Sequence, residues 1–133
     1  MFKGNNETAQ LMSTSVNVQA LGVKGNDVDC HITGSDVTDD AIFLELDKQY
    51  DIAITLDPGS TGVKFHQTKP FCNQNSKCPP ELPGGNATHP FSVTRNSDTS
   101  LTIHAAPVHS RAVAHYRLNF DGGESCDPII IHE

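Results

Sequence analysis

Tyr50-Asp51-Ile52-Ala53-Ile54-Thr55-Leu56 decides the fold. Tyr50, Ile52, Ile54 and Leu56 fall on one side of an extended chain; Asp51, Ala53 and Thr55 fall on the other. A period of two over seven residues is the mark of a half-buried strand. Asp57-Pro58-Gly59 closes the segment with type II turn chemistry, because proline pre-sets the first central φ and glycine accepts the positive second one. The same alternation recurs on both sides. Upstream it runs through Val16, Val18 and Ala20, then Val28, Cys30 and Ile32 after a Lys24-Gly25-Asn26-Asp27 turn, then Ile42, Leu44 and Leu46. Downstream it runs through Val63 and Phe65, Phe91 and Val93, Leu101, Ile103 and Ala105, and Ala114, Tyr116, Leu118 and Phe120. Asn96-Ser97-Asp98 and Asp121-Gly122-Gly123 read as turns. No segment carries a convincing 3.6-residue period; Asp36 to Leu46 comes nearest, and its β-branched and aromatic content favours a strand. The pattern predicts an all-β fold: one domain over 1–133, built as an antiparallel two-sheet sandwich of seven or eight short strands behind a flexible segment over 1–12.

The chain has 133 residues, 9 Lys plus Arg against 16 Asp plus Glu, and a formal net charge of −7. That balance argues against nucleic acid and against an anionic membrane surface as partners, since both select basic footprints. No apolar run approaches bilayer length. Met1-Phe2-Lys3-Gly4-Asn5-Asn6-Glu7-Thr8 has no apolar core behind its charge and does not read as a secretory signal. The expectation is a cytoplasmic protein, or a periplasmic or secreted one if a signal has been removed. Asn6-Glu7-Thr8 and Asn86-Ala87-Thr88 match the glycosylation triplet, which has meaning only after secretion into a eukaryotic lumen.

Between Pro70 and Pro90 the composition changes. Pro79, Pro80 and Pro83 join Gly84-Gly85 and several asparagines, and proline's missing N–H excludes a central strand. A long loop over 70–90 is expected. It holds Cys72 and Cys78; Cys30 and Cys126 complete the four cysteines. Three pairings are open, with Cys72 and Cys78 the nearest pair, and a reducing cytoplasm would keep all four as thiols. The C-x5-C spacing is wider than a zinc knuckle or a redox dithiol. With the flanking histidines it gives the sharpest metal set in the chain: His66, Cys72, Cys78 and His89.

Tyr116-Arg117-Leu118-Asn119-Phe120-Asp121-Gly122-Gly123, followed by Asp127-Pro128-Ile129-Ile130-Ile131, resembles the DP-EP family of small uncharacterised bacterial proteins. The Lys48-Gln49-Tyr50 entry into the clearest strand is similar too. The resemblance covers about the last twenty residues, implies a cupredoxin-like or immunoglobulin-like sandwich, and brings no activity with it. Asp127-Pro128 suits the entry to an edge strand. A blue-copper site needs two His, a Cys thiolate and usually a Met close together. Here Cys126 is followed by Asp-Pro and isoleucines, and the two methionines are Met1 and Met12.

The other histidines form no H-x-H or H-E-x-x-H motif. His31 and His115 fall on polar strand faces, while His104, His109 and His115 could converge across a hairpin. Gly59-Ser60-Thr61-Gly62 lacks both nucleophile-elbow spacing and a P-loop lysine. Asp36, Asp39 and Asp40 lack EF-hand spacing. Asp39, Asp40, Glu45 and Asp47 read as solvated acids unless they share a cleft, as glycosidic chemistry would require. The expectation is therefore a non-catalytic binding or assembly module without a cofactor. Its Ile129-Ile130-Ile131 run would serve a second core face or pair with another copy. The alternative is a metal-binding protein using the 70–90 loop.

Overall fold

The computed structural model describes residues 9–57, 62–83 and 86–133. Pro58 and Gly59 of the expected Asp57-Pro58-Gly59 turn, and all of Gly59-Ser60-Thr61-Gly62 but Gly62, fall outside these residues. So do the first eight positions of the expected flexible segment; Leu11 and Met12 already belong to a strand. The described residues contain strands and no helix. The first five strands are β1 Leu11–Lys24, β2 Asp27–Gly34, β3 Val37–Thr38, β4 Ala41–Leu44 and β5 Gln49–Leu56. Within 70–90 lie β6 Phe71–Asn73, β7 Glu81–Leu82 and β8 Asn86–Pro90. The remainder are β9 Ser92–Ser97, β10 Ser100–Ala105, β11 Ala112–Asn119, β12 Ser125–Cys126 and β13 Ile129–His132.

One sheet runs in the order β3-β4-β13-β11-β12-β2-β1-β5-β10-β9, with β6 also paired to β11; β7 and β8 form a separate pair. The sheet is mixed, not purely antiparallel. β1 runs parallel to β5, β4 to β13, and β12 to β2. Alternation reports the pleat of a strand and says nothing of its neighbour's direction, which is why the sequence pattern did not separate the two cases. Thirteen strands replace the seven or eight expected because the additional ones are mostly two or three residues long, too short to show a period.

Burial follows the alternation closely. Along β1, Thr14, Val16, Val18 and Ala20 are buried; β5 buries Tyr50, Ile52, Ile54 and Leu56, and β10 buries Leu101, Ile103 and Ala105. These join Ile42 and Leu44 of β4, Tyr116 and Leu118 of β11 and Ile130 of β13 in one core. Phe71, Phe91 and Tyr116 meet with ring centroids 5.1–5.3 Å apart. Phe65 stacks on Phe120 at 5.7 Å.

β13 is not an edge strand, contrary to the role expected for Asp127-Pro128. It lies between β4 and β11. Pro128 is buried just before it, and its carbonyl accepts the Tyr116 N–H at 2.9 Å. Proline fits there because the ladder bonds of β13 begin one residue later.

Candidate functional site

Two sheet faces, with opposite chemistry, are built by the alternation that builds the core. On β2, β1, β5, β10 and β9, register places the outward residues in cross-strand rows: Thr33, Asn17, Thr55 and Ser100; Ser15, Ala53, Thr102 and Thr94; Ser13, Asp51, His104 and Ser92. This face is mostly hydroxyl and amide, with Asp27, Asp29 and His31 exposed along β2 and Leu11 and Leu21 exposed along β1. His104 Nδ1 lies 2.7 Å from Asp51 Oδ1, and His31 Nδ1 lies 3.0 Å from Asp40 Oδ1.

On β4, β13 and β11 the outward rows are Phe43, Ile131 and Val113, then Ala41, Ile129 and His115. Ile130 turns inward and is 1% exposed, so the triple-isoleucine run splits between core and outer face. Val113 is 48% exposed, and Phe43, Ile129 and Ile131 are partly exposed. A contiguous block of large apolar side chains on an open sheet is the kind of patch that marks interaction surfaces. Its rim carries both signs of charge: Arg111 Nε lies 3.8 Å from Glu133, and Arg117 Nε lies 3.9 Å from Asp127.

The residues of the expected metal set have other uses. Cys72 and Cys78 are joined in a disulfide, and a disulfide sulfur is not the thiolate that binds metal. His66 Nδ1 accepts the backbone N–H groups of Thr68 at 3.2 Å and Lys69 at 3.0 Å, which folds the 66–69 turn onto the ring. His89 lies on β8, and its side chain is outside the description. Among the described residues no three His, Cys, Asp or Glu side chains gather as a metal site would require. The other candidates are equally dispersed. His104, His109 and His115 do not converge: His109 donates from Nδ1 to Asp47 at 2.7 Å, His104 pairs with Asp51, and His115 stands on the apolar outer face. Asp40 pairs with His31 at 3.0 Å and Glu45 with Lys48 at 3.1 Å, so Asp40, Glu45 and Asp47 have three different partners.

Sequence reading missed the second disulfide, Cys30 to Cys126. Cys30 sits in the inward phase of an alternating strand, whereas β12 is only two residues long, so Cys126 carried no period to match it. It also missed a cleft of about 150 Å³ beside the Cys72–Cys78 bridge, whose lining includes Thr68, Lys69, Phe71, Pro79, Val93 and Arg95. Among the described residues no helix is long and apolar enough to cross a membrane. No family model matches the chain, and no curated protein matches it.

Proposed function

We propose that this protein is a non-catalytic assembly module of an oxidising compartment, and that it self-associates through the outer face of β4, β13 and β11. The observation that carries the reading is the apolar block of Phe43, Ile129, Ile131 and Val113, adjacent in register across β4, β13 and β11. Water on four neighbouring large apolar side chains is costly, and covering them recovers that free energy at roughly 25 cal/mol per Å². The occupant we assign is a second copy. A twofold partner would bring Arg111 and Arg117 of one copy against Glu133 and Asp127 of the other, since the rim is self-complementary in charge.

The proposed architecture is a sandwich. Ten strands laid flat at the usual spacing would be about 45 Å wide. Yet Ile42 and Leu44 of β4 share one core with Leu101 and Ile103 of β10, near the opposite end of the strand order. A sheet folded over on itself accounts for that. The DP-EP resemblance of the Asp127-Pro128 region agrees with such a fold and adds no activity.

The compartment follows from the cysteines. All four are paired, and disulfides persist where the environment oxidises. Alkylation of acid-quenched protein is expected to find no thiol before reduction and four after it; four labelled thiols without reduction would reverse the assignment.

Assembly is tested by light scattering over a concentration series. Dimer is expected to accumulate with concentration, and Val113→Glu and Ile131→Lys, both outward-facing, are expected to return monomer with an unchanged circular dichroism spectrum. A wild-type chain that stays monomeric at every concentration would end the proposal.

A further inference from the structure

The cleft beside the Cys72–Cys78 bridge brings an arginine and a lysine together against an apolar wall. Arg95 reaches it from β9, and Lys69 from the 66–69 turn. No carboxylate lines it, although the chain carries a net charge of −7. Arg95 is held rigidly: Nε and Nη2 donate to the Phe65 carbonyl at 3.3 and 3.2 Å, and Nη2 also donates to Asp98 Oδ1 at 2.6 Å. Nη1 has no hydrogen-bond partner among the described residues. The Lys69 ammonium has no carboxylate within ion-pair distance there either, whereas Lys48, Lys64, Lys77, Arg95, Arg111 and Arg117 each have one. Asp98 offsets one cation, and Lys64 lies 4.0 Å from it, so the local balance is positive. Phe71, Val93, Pro70 and Pro79 give the lining its apolar part, and Gln67, Thr68 and Cys78 complete it.

We infer that this cleft binds a small carboxylate with a short apolar tail, its oxygens on Arg95 and Lys69 and its tail against Phe71, Val93 and Pro79. A guanidinium already fixed by a carbonyl and a carboxylate loses little freedom on taking a further acceptor, and its remaining nitrogen, Nη1, gives one carboxylate oxygen a charge-assisted hydrogen bond. A volume near 150 Å³ is the size of a cavity that holds benzene, so the ligand has about six or seven heavy atoms. The apolar lining distinguishes an acyl compound from inorganic phosphate, which would present a hydrated oxygen to Phe71 and Val93 and lose by it. This inference is independent of self-association, because none of these residues belongs to the outer face of β4, β13 and β11.

The test is a titration of the disulfide-bonded protein with valerate, acetate, inorganic phosphate and butylammonium, followed by backbone amide chemical shifts. Valerate is expected to give saturable shifts confined to residues around 67–71, 78–79 and 93–95, with a Kd in the millimolar range. Acetate and phosphate are expected to bind more weakly, and butylammonium not at all. Lys69→Glu, at an exposed side chain, is expected to weaken valerate about tenfold or more, a loss typical of removing a charged partner. Lys24→Glu, on the β1–β2 turn, is expected to change nothing. Arg95→Lys keeps the charge, loses the fixed Nη1 donor and is expected to weaken binding as well. Valerate binding that Lys69→Glu leaves intact, or shifts scattered over all lysines, would overturn the site. Phosphate binding as tightly as valerate would overturn the acyl assignment.

Discussion

Cys30 on β2 and Cys126 on β12 are joined by a disulfide although 96 residues separate them, with Cα atoms 6.1 Å apart. The ladder at this seam is thin: β12 meets β2 through the single register pair Ser125 and Asp27. The bridge is therefore the principal tie between the strands around β1 and the strands around β11 at this point.

Loop-closure entropy makes the long bridge the stronger of the two. Closing about 96 residues restricts the unfolded chain by roughly 4.7 kcal/mol, against roughly 2 for the six-residue separation of Cys72 and Cys78. Replacing Cys30 and Cys126 together by serine is expected to lower the urea midpoint clearly more than replacing Cys72 and Cys78 together. Equal shifts would show that the unfolded chain does not govern the effect.

His132 gives the fold a dependence on pH. It is 2% exposed, and its Nε2 has no hydrogen-bond partner among the described residues. Burial disfavours the imidazolium and pulls the pKa down from 6.5 to about 4. The unfolded chain therefore takes up a proton below pH 6.5 that the folded chain refuses until about pH 4. Stability from this group is complete above pH 6.5 and falls as pH drops through that window, by at most about 3 kcal/mol. Urea midpoints at pH 7.5 and 4.5 are expected to diverge less in His132→Leu than in the wild type. An unchanged divergence would assign the acid sensitivity elsewhere.

Thr14 is a buried hydroxyl on β1 whose Oγ1 has no partner among the described residues. Ile52 is its register partner on β5. Thr14→Val keeps the shape and removes the desolvated hydroxyl, with an expected gain of about 1 kcal/mol in chemical denaturation. A loss of stability would mean that the hydroxyl is satisfied in solution.

Gly34 ends β2 against Ser15 of β1, and a Cβ there would press into the Ser15 carbonyl oxygen more closely than real Cβ atoms come. Gly34→Ala must separate the two strands locally, at an expected cost of about 1–3 kcal/mol. Thermal denaturation reads this directly, and an unchanged midpoint would show that the strand end yields freely.

Much of this fold was legible in the chain. Tyr50 to Leu56, Leu101 to Ala105 and Ala114 to Phe120 declare their buried sides by alternation, and the structure buries those sides. The parallel neighbours of β5 and β13 were not legible, because side-chain phase is blind to strand direction. β6 was hidden among prolines: its three residues, Phe71 to Asn73, form a ladder with β11 that proline at 70 does not interrupt. The outer apolar face was half legible, since Ile129-Ile130-Ile131 announced two covered sides without showing that Phe43 and Val113 extend one of them. The cleft at Lys69 and Arg95 left no sequence signal, because the two residues are far apart in the chain and only the packing of β9 beside the 66–71 segment brings them together.

The seat of β13 between β4 and β11 bears on how the molecule is made. During synthesis both flanking strands leave the ribosome before β13 does, so for an interval Ala41 to Leu44 and Ala112 to His115 face each other across an open slot. Unpaired apolar edges of that kind invite strands from other nascent chains. The arrival of β13 closes both edges together, since its residues pair with β4 on one side and β11 on the other.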